Sequence, residues 1–360
     1  MRQFNNIFEG IKVFLTGHTG FKGSWLALWL EQLGARVCGF SSWEPVSDPV
    51  HYALLETNVT DMRGDIREYA KLHFAMRHSS PEIVFHLAAQ PLVRKSYRDP
   101  LETFSTNIQG TANLLQACYD TPSVKAVVVI TTDKVYENRE WPWGYREADM
   151  LGGHDPYAAS KACAEIVAAS FRCSFFEEKN ILLATCRAGN VIGGGDWAKD
   201  RIVPDMVCAA AVSKTTAIRM PQAIRPWEHV LEPLSGYLLL GQKLLEGKQE
   251  YAESWNFGPD SEGIVTVETL AENARMHWNA ITMDYHRSEG QKLHETSHLA
   301  LDCSKAKRRL GWSPVWSLEE TVQHTIDWYR EYYENKKVVT LEQLTQFVGD
   351  AKTRRAVWAN

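Results

Sequence analysis

The segment Ile11–Leu15 is short and apolar on both faces. It runs straight into Thr16-Gly17-His18-Thr19-Gly20-Phe21-Lys22-Gly23 and then into a helical stretch, Gly23–Leu33. A buried strand that turns through three glycines into a helix leaves few folds open. Such glycines let the backbone turn tightly, approach a pyrophosphate and pack helix against strand. The pyrophosphate then rests on the free N–H groups of the helix N-terminus. The rhythm repeats. Arg36–Phe40, Ile83–Leu87, Ala126–Ile130 and Ile181–Cys186 read as buried strands, each short, apolar and rich in β-branched residues. Ile66–Arg77, Leu101–Tyr119 and Pro156–Phe176 read as the helices between them. Alternation of this kind implies right-handed crossovers and an α/β fold, a doubly wound parallel sheet covered on both faces.

After Gly189 the texture changes. Gly193-Gly194-Gly195, Pro204, Pro221, Pro226 and Pro233 punctuate the chain; Leu231–Glu246 reads as one more helix on the sheet, and a long helical stretch begins near Leu318. A smaller, mixed α/β lobe is expected, discontinuous in sequence. The nucleotide-binding lobe would take residues 1–188 and about 212–250, and the second lobe about 189–211 and 251–360.

Composition excludes several classes. With 39 Lys+Arg against 44 Asp+Glu in 360 residues, the net charge of −5 lacks the basic footprint of a nucleic-acid binder. The apolar runs Ile83–Ala89 and Ala126–Ile130 fall far short of the roughly 20 residues that span a bilayer, and MRQFNNIFEG has no apolar core of a secretory signal. Seven cysteines without a C-x-x-C pair, and 12 histidines without H-x-x-H, read as free thiols in the cytoplasm and no metal site.

Tyr157 and Lys161 form Y-x-x-x-K, two side chains on one helix face, with Pro156 as a good first-turn residue. A Lys ammonium near a phenol favours the phenolate, lowering it from about 10. The phenolate then takes a proton from an alcohol while a nicotinamide takes the hydride. Thr131-Thr132-Asp133-Lys134-Val135-Tyr136 follows a strand at its carboxyl end, where ligands of such sheets bind.

The glycine spacing G-x-x-G-x-x-G, Gly64-Asp65-Ile66-Arg67 and His86-Leu87-Ala88-Ala89 resemble the extended short-chain dehydrogenase/reductase family. The resemblance implies a Rossmann-type sheet and NAD held by Gly17, Thr19, Gly20, Phe21, Gly23, Asp65, Ile66, Leu87, Ala88, Ala89, Tyr157 and Lys161. Asp65 would accept from the adenine amino group, and Leu87–Ala89 would wall the adenosine ribose. One departure is Phe40-Ser41-Ser42-Trp43, where an Asp commonly ends the second strand; no Arg stands in that stretch to meet a 2′-phosphate, which favours NAD over NADP.

TGHTGFKG, HLAAQPLVRKSY, TTDKVYEN, RAGNVIGGGDWAKDRIVPD and IRPWEHV, spread over nearly the whole chain, resemble the sugar-nucleotide 4,6-dehydratases of that family. The resemblance makes Thr132, Tyr157 and Lys161 a catalytic triad. It gives Asn190 to the substrate phosphate and Arg201 and Arg225 to the nucleotide diphosphate, which a guanidinium suits by bidentate donation. Arg94 and Ser96 would touch the sugar. Dehydratases usually follow the Thr with Asp-Glu, an acid and a base; here the pair is Asp133-Lys134, and Lys134 acts as the base only if neutral, well below about 10.4. The same resemblance implies a lyase with a transient redox step, a role in deoxysugar and lipopolysaccharide O-antigen synthesis, and a homodimer or homotetramer. The dimer would form through a four-helix bundle of Leu101–Tyr119 and Pro156–Phe176, with Leu114, Leu115, Ala158, Ile166 and Val167 as its apolar content. Two rivals stand beside this reading. A 4-epimerase would lose no water, and Asp133-Lys134 speaks against it. A non-catalytic NAD-sensing regulator typically lacks the Tyr or Lys kept here.

Overall fold

The computed structural model describes residues 3–45, 47–285 and 296–359. The strands are β1 (Lys12–Thr16), β2 (Arg36–Ser41), β3 (Thr60–Arg63), β4 (Ile83–His86), β5 (Ala126–Ile130), β6 (Leu182–Ala188), β7 (Asn190–Ile192), β8 (Thr215–Ala217), β9 (Ile224–His229), β10 (Ser254–Phe257), β11 (Ile264–Thr266) and β12 (Thr282–Asp284). The helices are α1 (Phe21–Gln32), α2 (Tyr69–Ser79), α3 (Val93–Arg98), α4 (Pro100–Phe104), α5 (Gly110–Tyr119), α6 (Pro156–Phe171), α7 (Glu177–Lys179), α8 (Ile202–Ala211), α9 (Leu231–Leu245), α10 (Val267–His277), α11 (Leu318–Asn335) and α12 (Thr340–Thr353).

Seven parallel strands run in the order β10-β6-β5-β4-β1-β2-β3. The order reverses between β1 and β4, so the carboxyl ends of these two strands open a crevice. The central strands are apolar on both faces because helices cover both: β5 is Ala-Val-Val-Val-Ile, buried throughout. On one face α1 and α9 pack their Trp25, Leu26, Trp29, Leu234 and Leu238 into the larger core; on the other, α2, α5 and α6 pack Leu72, Met76, Leu114, Leu115 and Ala168 into a second. Beside the large sheet lie a small one, β11-β9-β7, and the pair β12-β8.

The expected strands and most helices appear within a few residues of their sequence bounds. The two long helices differ. Leu101–Tyr119 is broken into α4, a π-helical turn at Ser105–Gln109, and α5, and Pro156–Phe176 ends its α-helix at Phe171 and continues as a π-helical turn. The first turn has a visible cause. Asn107 reaches inward from it, donating to Gln90 O at 3.1 Å and Ser160 Oγ at 2.8 Å and accepting from Gln90 N at 2.8 Å. Inserted turns of this type mark functional sites in many folds. The strands also interleave between lobes more than the expected division implies: β10 joins the large sheet, and β9 lies in the small one.

Candidate active site

A cleft of about 920 Å³ opens along the carboxyl ends of the large sheet and under the small one. It is lined by Gly17, Thr19, Gly20, Phe21, Gly23, Asp65, Ile66, Leu87, Ala88, Ala89, Arg94, Thr132, Asp133, Lys134, Tyr157, Lys161, Asn190, Arg201 and Arg225. Of the residues expected from sequence, only Ser96 is outside it. Ser96 is fully buried; its Oγ donates to Val93 O at 2.7 Å and accepts from Tyr157 N at 3.2 Å. It anchors the first turn of α6.

The phosphate loop is built as its glycines require. Gly17 has φ +74°, and a Cβ there would stand 2.7 Å from Ala88 N; a Cβ on Gly23 would stand 2.0 Å from Gly17 O. The first intrahelical bond is Ser24 N to Gly20 O, so the amides of Phe21, Lys22 and Gly23 are left at the cleft. This cradle fits the diphosphate of a dinucleotide. His18, between the glycines, is buried; it bonds Ser41 Oγ at 2.9 Å and Asp61 at 3.0 Å, and burial lowers it to about 4. A neutral imidazole thus ties the loop to β2 and β3. Asp65 lies where expected, but Arg67 already holds its carboxylate, with Nε at 2.8 Å and Nη2 at 2.5 Å. Beside the end of β2, Arg63 comes in from β3, committed to Asp61 at 2.7 Å and to Ser42 O at 3.2 Å.

Tyr157 and Lys161 sit in the first turns of α6, which starts cleanly because Asp155 caps it, accepting from Ala158 N at 2.8 Å, with Pro156 next. Lys161 is buried and donates to Ile130 O at 3.0 Å; burial lowers it to about 8, Lys22 adding to the effect. Burial pushes Tyr157 up to about 12, with hydrogen bonding to Thr132 and the charge of Arg201 opposing. Thr132 caps the short 3-10 turn Asp133–Val135 and donates to Asp133 Oδ1 at 3.0 Å. Asp133 is buried, its Oδ2 has no hydrogen-bond partner among the described residues, and burial raises its pKa against the pull of Lys134. Lys134 is half-buried at the cleft.

On the far wall Asn190 opens β7, and Arg201 immediately precedes α8, its Nη1 2.7 Å from Asp196. Arg225 on β9 donates to the carbonyls of Ile224, at 2.8 Å, and Thr296. Arg94 reaches Asp200 at 3.6 Å. Two residues that pattern reading passed over stand close by. Lys22 lines the cleft, lowered to about 8 by burial against the pull of Glu228. Glu228 is buried on β9, and burial holds its carboxyl well above the usual range despite Lys22. No motif exposes such a pair, because Lys22 reads as part of the glycine loop and Glu228 as one alternate residue of a strand. Asn107 was missed for the same reason, inside an apparently continuous helix.

The sheet order, glycine cradle and Thr-Tyr-Lys constellation define an extended short-chain dehydrogenase/reductase. Residues 14–325 match the family described as GDP-mannose 4,6 dehydratase, and the chain belongs to that family. It is 48% identical over 334 residues to the CDP-glucose 4,6-dehydratase of Salmonella typhimurium, covering 91% of this chain and 92% of that protein. It is 24% identical over 334 residues to a dTDP-glucose 4,6-dehydratase of Xanthomonas campestris, covering 88% and 92%. The fold is shared with the dTDP-glucose 4,6-dehydratase of Bacillus anthracis solved in complex with NAD (TM-score 0.76, 20% identity, 90% of this chain and 98% of that one). It is shared also with the UDP-glucose 4-epimerase of Thermotoga maritima solved with UDP-glucose (TM-score 0.74, 23% identity, 89% and 98%).

Proposed function

We propose that this chain is a hydro-lyase, a CDP-D-glucose 4,6-dehydratase that makes CDP-4-dehydro-6-deoxy-D-glucose and water for deoxysugar synthesis. The 48% identity along 91% of the chain to a CDP-glucose 4,6-dehydratase carries the reading. The acid Asp133, buried directly after Thr132, supports water loss over epimerisation. NAD, when bound, supplies a hydride acceptor early in the cycle and a donor late in it, so it is not consumed.

The chain's own residues do the rest. The amides at the start of α1 and the glycine cradle hold the cofactor's diphosphate, and Lys161 stands below its sugar. Thr132 holds the substrate's 4-hydroxyl while Tyr157 takes its proton. The ketone at carbon 4 makes the carbon 5 proton acidic. Lys134, in the base position, removes that proton, and Asp133, whose proton affinity burial raises, gives a proton to the 6-hydroxyl, which leaves as water. Carbon 6 then recovers the hydride that carbon 4 gave up, as Lys134 returns a proton to carbon 5. Asn190, Arg201 and Arg225 hold the diphosphate of the sugar nucleotide. Cofactor and substrate thus enter from the two lobes, and the reaction runs between them, in a cytoplasmic homodimer.

The test is incubation with CDP-, dTDP-, UDP- and GDP-glucose, reading the alkaline absorbance of a 4-keto-6-deoxy sugar. CDP-glucose should give the product fastest, without NADH accumulating in step. An epimer without water loss, or faster turnover of another nucleotide, would overturn the reading.

A further inference from the structure

Asp205, Ala217, Arg219 and Met220 also line the cleft, on α8 and around β8. Arg201 precedes α8 and Asp205 lies one turn into it, so Asp205 stands one step further along the wall than the residue assigned to the diphosphate. Arg219 follows β8, against which α8 packs. A base joined through ribose to that diphosphate has this part of the cleft to occupy.

The two side chains there are differently committed. Arg219 is anchored, donating from Nη1 to Asp200 Oδ1 at 3.1 Å and from Nη2 to Asp200 O at 3.4 Å. A guanidinium has five N–H donors in a fixed fork, so this leaves others open. Asp205 is half-buried, and its carboxylate makes no ion pair or side-chain hydrogen bond with the described residues; the Asp200 amide is the donor turned to it, and Arg219 is the nearest influence of opposite charge. An acceptor and a set of donors therefore line one part of the cleft without closing on each other.

That combination has a complement. The Watson–Crick edge of cytosine presents an N4 amino donor, then the N3 and O2 acceptors. An acid beside a guanidinium offers acceptor, donor and donor, the arrangement of guanine's own edge. Uracil and thymine present an O4 acceptor and an N3–H donor at the same two places. They would set a carbonyl against the carboxylate and an N–H against the guanidinium. Carboxylates take cytosine N4 and guanidiniums take ring acceptors elsewhere in nucleic-acid recognition.

We propose that Asp205 and Arg219 read the base of the sugar nucleotide, Asp205 accepting from the cytosine amino group and Arg219 donating to its ring acceptors, and so select CDP over UDP and dTDP sugars. The inference rests on the CDP-glucose reading above and supplies the residues for it. Both side chains stand apart from the reacting sugar, so their loss should change which nucleotide is taken and leave the chemical step intact.

The test compares wild type, Asp205→Asn and Arg219→Met in two ways. Binding of CMP and UMP is measured by calorimetry without sugar or turnover, and kcat/KM is measured for CDP-glucose and UDP-glucose. In Asp205→Asn the carboxamide turns its NH2 toward O4, so the CMP:UMP affinity ratio should fall about 10- to 100-fold, mainly by a gain for UMP. The kcat/KM ratio should follow through KM, with kcat for CDP-glucose within a few-fold. Arg219→Met should weaken CMP and leave UMP little changed, lowering the ratio. A CMP:UMP ratio within two-fold of wild type in Asp205→Asn overturns the assignment, even if CDP-glucose is dehydrated. Wild-type turnover of another nucleotide sugar overturns the activity instead, and the CMP:UMP ratios still decide whether these residues read the base.

Discussion

Tyr157 and Asp133 are two acids that burial pushes upward, and their tasks differ. Tyr157 must give up its proton to serve as a base, while burial pushes it up to about 12. Lys161, which would favour the phenolate, donates to Ile130 O at 3.0 Å. Tyr157→Phe keeps the ring and its packing and removes the hydroxyl. Turnover should fall about a hundred- to ten-thousand-fold while calorimetry shows unchanged binding of CDP; a variant within a few-fold of wild type would move the base elsewhere. Burial moves Asp133 toward the form its task needs, at a cost to stability. In the unfolded chain it ionises near 3.9; burial raises it in the folded one. Between those two values the folded state holds more protons, so stability falls as pH rises through that window. Asp133→Asn cannot ionise and keeps an oxygen for the Thr132 hydroxyl. Its melting temperature should exceed wild type at pH 7, and the gain should vanish as pH falls below about 4. An equal melting temperature at pH 7 would mean that burial does not raise Asp133 in the folded protein. Spacing and a strand end placed Tyr157 and Asp133 near the crevice, and the resemblance to sugar-nucleotide dehydratases gave them their roles. Their proton affinities were not legible, because burial is set by residues far away in sequence. Ser96 shows the same limit: its bond to Tyr157 N, at 3.2 Å, links residues 61 positions apart and no local pattern announces it.

At the scale of elements, the catalytic strand end is held from behind by a buried network. Arg187 of β6 meets Glu165 of α6 with Nε to Oε1 at 3.0 Å and Nη2 to Oε2 at 2.9 Å. Thr131 and Thr185 donate to the same carboxylate at 2.6 and 2.7 Å, and Arg187 reaches Tyr136, which in turn donates to Asn256 of β10. The network locks β5, β6, β10 and α6 together just below Thr132 and Lys161. Arg187→Met leaves Glu165 charged and unpaired in the core, which typically costs about 3–5 kcal/mol. Urea unfolding should show a loss of that size; a loss under 1 kcal/mol would mean that Glu165 simply takes up a proton. The elements of this region were readable because β5 and β6 are continuous apolar runs and α6 has a capped start. The Rossmann half of the sheet could be drawn from such runs. β3, Thr-Asp-Met-Arg, could not, because it is an edge strand with little to bury. β10, Ser-Trp-Asn-Phe, joins the large sheet only through pairing with β6 across nearly seventy residues of chain, and no local signal carries that.

At the scale of the whole molecule, the outer face of α6 is the open question of assembly. A monomeric surface rarely keeps large apolar groups together without a use for them. Of the five residues expected at a helix-bundle interface, Leu114, Leu115 and Ala158 are buried within the chain itself, and Val167 packs partly against that same core. The sequence pattern could not separate them, because both faces of these helices are apolar. Ile166 alone points outward, 58% exposed, and the neighbouring α4 and the end of the α6 segment add the exposed Leu101 and Phe175. A second copy laying its own α5 and α6 against this face would cover all three and leave the cleft, on the far side of the sheet end, open to substrate. Sedimentation of wild type should then give a dimer mass or a multiple of it. Ile166→Glu places a charge in the middle of the covered face and disturbs nothing inside, so it should sediment as a monomer with an unchanged circular dichroism spectrum. Wild type running as a monomer, or Ile166→Glu remaining a dimer, would move the interface off this face.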